Sequence, residues 1–327
     1  MKKQIFAFMA AGLLLSSCGA KTEAAQAADT AADTTEVSTV YYIRDITPEN
    51  LVKIYKALGR TAEGKVAVKM STGESNKSHQ LDPALIKPLI DELGATIVEC
   101  NTAYAGNRNT TEAHRKAAEE HGYTAIATVD IMDADGDTIL PLEGGKHLEY
   151  DIVGKHYPDY DFTVVLSHFK GHAMGGFGGA LKNVAIGIAS SAGKTYIHTA
   201  GKTNDVDSIW NNIAPQDDFL ESMGEACKAV FTHAGDKILF INVANNLSVD
   251  CDCDGDPAAP KMADLGILAS LDPVALDRAC VDMVVNSDDP GKADLIERME
   301  SRHATHLLDY AEQLGLGSQK YKIIELK

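Results

Sequence analysis

The chain has 327 residues, a formal net charge of −17 and a sequence pI near 5.0. This acidic balance argues against a nucleic-acid partner, because phosphate contacts require clustered lysine and arginine side chains. The length is sufficient for a large hydrophobic core, in one large domain or in two lobes.

The first twenty residues, MKKQIFAFMAAGLLLSSCGA, predict a lipoprotein signal peptide at 1–17. Two lysines precede an apolar run from Ile5 to Leu15 that is too short to span a bilayer, and small residues precede Cys18. This order resembles the lipobox of bacterial lipoproteins, in which cleavage leaves Cys18 as a lipidated N-terminus. We therefore expect an exported lipoprotein of the bacterial cell envelope, periplasmic or at the outer membrane, held to a membrane by its N-terminal lipid.

The next segment, residues 18–38, is rich in alanine, threonine and acidic residues. It cannot bury enough apolar surface to fold, so it predicts a flexible tether. The folded body is predicted at residues 39–327.

The body reads as alternating strands and helices. KVAVKM predicts a strand, and DPALIKPLIDELGA a helix that begins at Asp82 and ends at Gly94. TIVEC, YTAIATVD and DFTVVLSH predict further strands, with the helix TTEAHRKAAEEHG between the first two. DDFLESMGEACKAVFTHAG predicts an amphipathic helix, DKILFINVANN and MADLGILAS predict strands, and DPVALDRACVDMVV predicts a helix that begins at Asp272.

This alternation predicts an α/β fold with a mainly parallel sheet and flanking helices, with the possibility of two lobes around a cleft. In such folds, ligands bind where loops leave the carboxyl ends of the strands. The segment LSHFKGHAMGG is expected at such an end, directly after the buried strand FTVV.

A glycine-rich loop, KGHAMGGFGG, leads into the helix-like run ALKNVAIGIAS, and Lys182 lies near the start of that run. Glycines allow backbone N–H groups to approach an anion, and a helix N-terminus adds partial positive charge. The alternative is a tight turn whose glycines permit close packing. The candidate cofactor-binding residues are Gly175, Gly176, Gly178, Gly179 and, in the second glycine loop SSAGKTYIH, Lys194.

Three histidines flank these loops. His168 and His172 are four residues apart around the first loop, and His198 follows the second. Imidazole can ligate a metal or move a proton. We assign His168 and His198 as candidate metal ligands, and His172 with Lys182 as candidate catalytic residues.

Five cysteines follow Cys18, and an odd number argues against a full disulfide framework. Cys100, Cys227 and Cys280 lie in apolar segments and are expected in the core. Cys251 and Cys253 form a Cys-x-Cys pair beside carboxylates, and thiolates favour zinc, iron or copper(I). Two cysteines are an incomplete metal site, so the histidine loop is the expected source of further ligands. The alternative is a free or oxidised pair in a surface turn.

Residues 62–326 resemble the bacterial family called domain of unknown function 362. The resemblance rests on SHFKGHAMGGFGGALKNVAIGIAS, on CDC, and on DLGILASLDPVALDRACVDMV. Many members carry a ferredoxin-like iron–sulfur insert before the CDC segment. Residues 201–250 contain only Cys227, so this chain has no iron–sulfur ferredoxin motif.

HAMGGFGGALK also resembles, more distantly, the glycine motif of the nickel-pincer lactate racemases. That resemblance implies an acid/base role for His172, a cofactor-holding role for Lys182 and a nickel-ligating role for His198.

Three hypotheses follow from these observations. The first is a metal-binding or redox accessory protein, with zinc, iron or nickel as the candidate metals. The second is a racemase-like enzyme acting on a small hydroxy or oxo acid. The third is a protein that binds a small anionic ligand without catalysis.

We expect Cys18→Ala to move the protein from the membrane fraction to the soluble fraction, because the predicted lipid would be its only anchor. Fractionation of cells that express the two forms checks this. Membrane association of the variant equal to that of the unmodified protein would contradict the lipoprotein assignment.

Overall fold

The computed structural model describes residues 37–327, so the predicted signal peptide, most of the predicted tether and Cys18 lie outside the described residues. An eight-stranded sheet carries the fold, in the order β12-β1-β11-β10-β7-β2-β3-β4. Two hairpins, β5-β6 and β8-β9, stand apart from it. The strands are β1 (Ser38–Ile43), β2 (Val66–Lys69), β3 (Thr96–Glu99), β4 (Val129–Ile131), β5 (Asp137–Pro141), β6 (Tyr150–Gly154), β7 (Phe162–His168), β8 (Lys170–His172), β9 (Gly176–Gly178), β10 (Ile238–Ala244), β11 (Gly266–Ser270) and β12 (Tyr321–Glu325).

Helices cover both faces of the sheet. They are α1 (Pro48–Ala57), α2 (Pro83–Leu93), α3 (Thr111–Glu120), α4 (Ala180–Ile188), α5 (Ser191–His198), α6 (Gln216–Ala234), α7 (Pro273–Val285), α8 (Lys292–Ser301) and α9 (His306–Gln313). No helix within residues 37–327 is long and apolar enough to cross a membrane.

The predicted α/β class with a mainly parallel sheet is confirmed. Five neighbouring strand pairs are parallel, and only the two pairs that involve β11 are antiparallel. The described residues belong to one compact unit, so two lobes are not seen.

Alternation along the strands explains the two layers of the core. On β7, Val164 and Leu166 pack with helices α1 and α2 on one face, whereas Val165 packs with α4, α6 and α7 on the other. All seven residues of β7 are buried. A strand buried on both faces reads as a continuous apolar run, which is what FTVVL shows.

The predicted helix starts are formed as the sequence indicates. The carboxylate of Asp82 accepts a hydrogen bond from the Ala84 amide at 2.8 Å, and α2 ends at Gly94 with φ of 57°. The carboxylate of Asp272 accepts from the Val274 and Ala275 amides at the start of α7. Each side chain satisfies amide groups that the helix itself leaves unpaired.

Three local predictions are wrong. YTAIATVD forms a 3₁₀ turn at Tyr123–Ala125, in which the Tyr123 ring is buried. Only the last two residues of this segment lie in a strand, the short β4. SSAGKTYIH, predicted as a glycine loop, is helix α5, and the Ser190 hydroxyl caps it by accepting a hydrogen bond from the Gly193 amide. The first glycine loop folds into the hairpin β8-β9.

The start of α4 is capped from within the protein. The buried carboxylate of Asp277, on α7, accepts hydrogen bonds from the amides of Ala180 at 2.7 Å and Leu181 at 2.9 Å. Gly179 leaves room for it, since a Cβ there would collide with the Asp277 carboxylate. These amides are therefore occupied by an internal anion.

We expect Asp277→Asn to lower the free energy of unfolding by about 2–4 kcal/mol. The amide would turn an N–H group toward a backbone donor, and buried hydrogen bonds to a charged group contribute about 1.5–3 kcal/mol each. Urea unfolding measures the change, with Asp288→Asn at an exposed loop position as the control. Equal stability of the two variants would contradict the capping role.

Candidate functional site

A cleft opens at the carboxyl edge of the sheet. Lys69, Glu99 and His168 are the last residues of β2, β3 and β7, which lie side by side in the sheet. Polar side chains at adjacent strand ends converge at this edge in α/β folds. The long connection after β10, which contains Cys251 and Cys253, closes over the same edge.

The hairpin β8-β9 holds that connection in place. The Gly171 amide donates to the Ser248 carbonyl at 2.8 Å, and a Cβ on Gly171 would collide with the Val249 carbonyl. From the opposite side, the Glu74 amide donates to the Asp252 carbonyl at 2.8 Å. The Cys-x-Cys segment is thereby fixed between two loops of the cleft.

Asp252, between the two cysteines, carries a buried carboxylate. It accepts hydrogen bonds from His168 Nδ1 at 2.9 Å and from Lys170 Nζ at 2.6 Å. Burial opposes ionisation of Asp252, but the charges of His168 and Lys170 outweigh it and hold its pKa well below the ordinary range. The contacts of Asp252 thus fix the position of Cys251 and Cys253, which lie on either side of it in sequence.

The cleft has two chambers with a shared wall. The outer chamber is a cavity of about 530 Å³ and includes His172, His198 and Trp210 in its lining. The inner chamber is a cavity of about 80 Å³ whose lining includes seven charged side chains. Both chambers are lined by Tyr104, Lys182, Ile186, Cys251 and Cys253.

The three predicted histidines differ in what their ring nitrogens contact. His168 Nδ1 faces the Asp252 carboxylate, and its Nε2 lies 2.6 Å from the Asn245 carbonyl oxygen. Both nitrogens therefore face oxygen acceptors, which leaves no lone pair directed at a metal. His198 donates from Nδ1 to the Lys194 carbonyl at 2.6 Å, which leaves the lone pair on Nε2. Burial lowers the pKa of His198 to about 4.

His172 is fixed as the tautomer with its proton on Nε2. Its Nδ1 accepts hydrogen bonds from the backbone amides of Met174 at 3.2 Å and Gly175 at 2.8 Å, so Nδ1 cannot carry the proton of a neutral ring. Burial, followed by the charge of Lys182, holds its pKa well below the ordinary value, so the ring is neutral. The Nε2–H group lies 3.8 Å from Cys253 Sγ.

The two sulfurs of Cys251 and Cys253 are joined as a disulfide. Cys251 is buried and Cys253 is half-buried, and the Cys253 amide donates to Cys251 Sγ at 3.2 Å. The prediction that Cys100, Cys227 and Cys280 are core residues is confirmed, since all three are free and buried.

Groups of metal-ligating side chains are present. The ligand atoms of His172, Cys251 and Cys253 lie within 4.8 Å of one another. Among residues 37–327, two further groups lie on the surface around α6 and are already joined by hydrogen bonds or ion pairs. They are Asp217, His303 and His306, and His147, Asp218 and Glu221.

The predicted glycine and lysine residues take different positions. Gly178 and Gly179 line the inner chamber, whereas Gly176, with φ of 79°, packs its backbone against Ala304. Gly175 contributes its amide to His172. Lys194 lines the inner chamber but donates from Nζ to the carbonyls of Ala189 at 2.6 Å and Cys100 at 3.4 Å.

Sequence reasoning missed several charged residues of the inner chamber. Lys69, Glu99 and Arg108 line it, and Lys170 and Asp252 complete its wall. Lys69 and Glu99 are the next-to-last residues of the predicted strands KVAVKM and TIVEC, and this position near a strand end was an available signal. The ion pairs of Arg108 with Glu74 and Glu99, at 2.9 Å and 3.1 Å, depend on loop packing that no local pattern records.

The chain belongs to the family described as Domain of unknown function (DUF362), whose profile matches residues 66–282. No curated protein is detectably similar in sequence.

Solved structures that are similar to this chain include the following two. The lactate racemase apoprotein from Thermoanaerobacterium thermosaccharolyticum is 15% identical, with a TM-score of 0.36 over 63% of this chain and 50% of that one. A protein from Thermotoga maritima is 13% identical, with a TM-score of 0.42 over 81% of this chain and 58% of that one. The chain thus spans about half the length of these structures, and resemblance at this level carries no information about activity.

Lys182 is the lysine that lines both chambers. Burial, followed by the charge of Lys170, lowers its pKa to about 7. The charged and ionisable side chains around it are Lys170, Asp252, Arg108, Lys69, His172 and His198.

We expect Lys182 to react with an amine-directed reagent with a midpoint near pH 7, because only the neutral amine is nucleophilic. Labelling from pH 6 to 9, quantified by peptide mass spectrometry, measures this. Lys322, exposed on β12, is the reference lysine. Labelling of Lys182 at pH 7.5 no faster than that of Lys322 would contradict the assignment.

Proposed function

We propose that this protein is a thiol–disulfide redox protein whose centre is the Cys251–Cys253 pair and whose cleft admits a small molecule. The observation that supports the proposal most directly is the setting of the disulfide. It lies in the wall shared by both chambers, with the Nε2–H group of His172 at 3.8 Å from Cys253 Sγ.

A structural role for this disulfide is the weaker explanation. Disulfides stabilise a fold mainly by constraining the unfolded chain, and the constraint grows with the length of the closed loop. This one closes a loop with a single residue, Asp252, between its ends. The loop is also anchored independently by the ion pair of Asp252 with Lys170.

The environment favours attack at Cys253. A thiolate R–S⁻ that attacks Cys253 Sγ forms a mixed disulfide, and the S–S bond breaks to release Cys251 as a thiolate. The Cys253 amide already points at Cys251 Sγ, so it can stabilise that leaving thiolate. Cys253 is also the more exposed of the two cysteines.

A second thiol completes the reaction. Its thiolate attacks the R sulfur of the mixed disulfide, which forms R–S–S–R and releases Cys253 as a thiolate next to the Nε2–H group of His172. The two protons of the two thiols then reside on the cysteines or in water. Two R–SH are oxidised by two electrons in all, and the protein disulfide is reduced.

The export predicted from the N-terminal segment agrees with this proposal. Disulfides persist in oxidising compartments, and the cell envelope predicted from the N-terminal segment is one of them. The electron donor proposed here is a small thiol, and the physiological direction of the exchange is set by the poise of that compartment.

Metal-assisted chemistry is the second candidate function, and it is favoured by a different observation. His172, Lys182 and His198 all line the outer chamber, and His198 Nε2 has a free lone pair. His198 would hold a metal, Lys182 would hold a cofactor, and the metal would act as a Lewis acid on a small hydroxy acid. We rank this candidate second because the group of His172, Cys251 and Cys253 is not free to bind a metal. The two sulfurs are joined to each other, and His172 Nε2 carries a proton.

We expect His172→Phe to lower the midpoint potential of the Cys251–Cys253 couple by about 30 mV. The variant removes an N–H donor that interacts more strongly with a thiolate than with a disulfide, and about 1.4 kcal/mol corresponds to 30 mV for two electrons. Titration with dithiothreitol buffers, followed by alkylation and mass spectrometry, measures the potential.

The control is His233→Phe, an exposed residue near the opposite end of β7, where its ring packs on Tyr157. Equal potentials for the wild type and His172→Phe would contradict the proposed role of His172. A stoichiometric metal bound to the purified protein and lost in His198→Ala would favour the second candidate instead.

A further inference from the structure

The inner chamber has more positive than negative charge in its lining. Five cationic side chains face two carboxylates, those of Glu99 and Asp252. The cations are Lys69, Arg108, Lys170, Lys182 and Lys194.

Four of these five cations have partners. Lys170 pairs with Asp252, and Arg108 pairs with Glu74 and Glu99. Lys69 donates to the Met70 carbonyl and to the Asn183 side chain, and Lys194 donates to two carbonyls. Within residues 37–327, the Lys182 side chain has no hydrogen bond or ion pair.

The two carboxylates cannot serve Lys182 as partners. Asp252 is engaged by His168 and Lys170, and Glu99 is engaged by Arg108, by His114 at 3.0 Å and by Thr72. Lys182 is partly buried. A positive charge without a partner in such a position is costly, and an external anion would reduce that cost. The chamber is therefore arranged to accept one negative charge.

The volume of the inner chamber and the number of unpaired donors in its lining limit what that anion can be. A cavity of about 80 Å³ has room for roughly six water molecules, so only a group of a few atoms fits. A phosphate dianion requires several donors, often from arginine, and the one arginine of this lining is already doubly paired. Lys182 alone, with its single positive charge, matches an anion of charge −1, and a carboxylate is the most common small anion of this charge.

The shared wall places such a ligand against the disulfide. Lys182 and Cys253 both line both chambers, so a molecule with its carboxylate in the inner chamber extends its other end past the sulfurs into the outer chamber. A small molecule with a carboxylate at one end and a thiol at the other matches this arrangement.

We propose that the reductant taken by this cleft is a small thiol that bears a carboxylate, and that Lys182 binds the carboxylate while the thiolate attacks Cys253. This inference rests on the proposed redox function. The bonds that form and break are those given above, and the carboxylate is unchanged throughout.

The kinetic test compares two thiols of equal length, 3-mercaptopropionate and 3-mercaptopropanol, as reductants of the oxidised protein, with rates expressed per thiolate. We expect about a tenfold preference for the carboxylate, as one added ion pair in a partly buried site provides. Lys182→Met should abolish the preference and Lys322→Met should retain it. Equal rates for the two thiols in the wild type would overturn the inference.

A second test needs no variant and no electron transfer. Propionate, which has the carboxylate but no thiol, should bind the oxidised protein and change the fluorescence of Trp210, which is the single tryptophan of the chain and lies in the outer chamber lining. It should also inhibit reduction by 3-mercaptopropionate more strongly than reduction by 3-mercaptopropanol. Absence of propionate binding, or tighter binding of inorganic phosphate, would overturn the carboxylate assignment.

The outcomes separate the two proposals. If neither thiol reduces the Cys251–Cys253 disulfide, and the protein stays folded in dithiothreitol, the redox function fails. The proposal of a thiol substrate then fails with it, whether or not propionate binds. If both thiols reduce the pair at equal rates, the redox function stands and the carboxylate selectivity fails.

Discussion

The geometry of the cleft depends on one buried carboxylate, that of Asp252. It lies between the two cysteines in sequence and is held by His168 from the end of β7 and by Lys170 from the hairpin. A buried ion is tolerable only when it is paired and fully hydrogen-bonded, so this one fixes the loop in one position. Both sulfurs are consequently presented to the cavities, and the rest of the site is arranged around them.

The same requirement separates the charges of the cleft into two kinds. Arg108, Glu99 and Glu74 form a buried network in which one guanidinium is shared by two carboxylates, and such networks rigidify a structure. Lys182 lies outside that network, at the boundary of the two chambers. The ion-paired side chains therefore hold the cleft in shape, and the unpaired side chain of Lys182 is available to a ligand.

The sequence was sufficient to predict the sheet, the capped helices and the segments that meet at the site. Aspartate–proline helix starts and the apolar run of β7 are local signals with a direct physical cause. The roles inside the site were not predictable in the same way. Whether His172 presents an N–H group or a lone pair depends on two amides of its own turn, and whether His168 has a free nitrogen depends on Asn245 and Asp252, which are distant in sequence.

The glycine loop shows the same limit and has a further consequence. A glycine-rich turn before a helix predicts an anion-binding site. In this protein the carboxylate of Asp277, which is distant in sequence, occupies that site. The permanent dipole of α4 is thus neutralised internally, and the anion proposed for the neighbouring chamber would be attracted by the Lys182 amine instead. A backbone dipole is the same at every pH, whereas the pKa of the Lys182 amine is lowered to about 7, so the charge of this side chain changes near neutral pH. For the carboxylate binding proposed above, affinity would therefore fall as the pH rises through neutrality and Lys182 loses its charge.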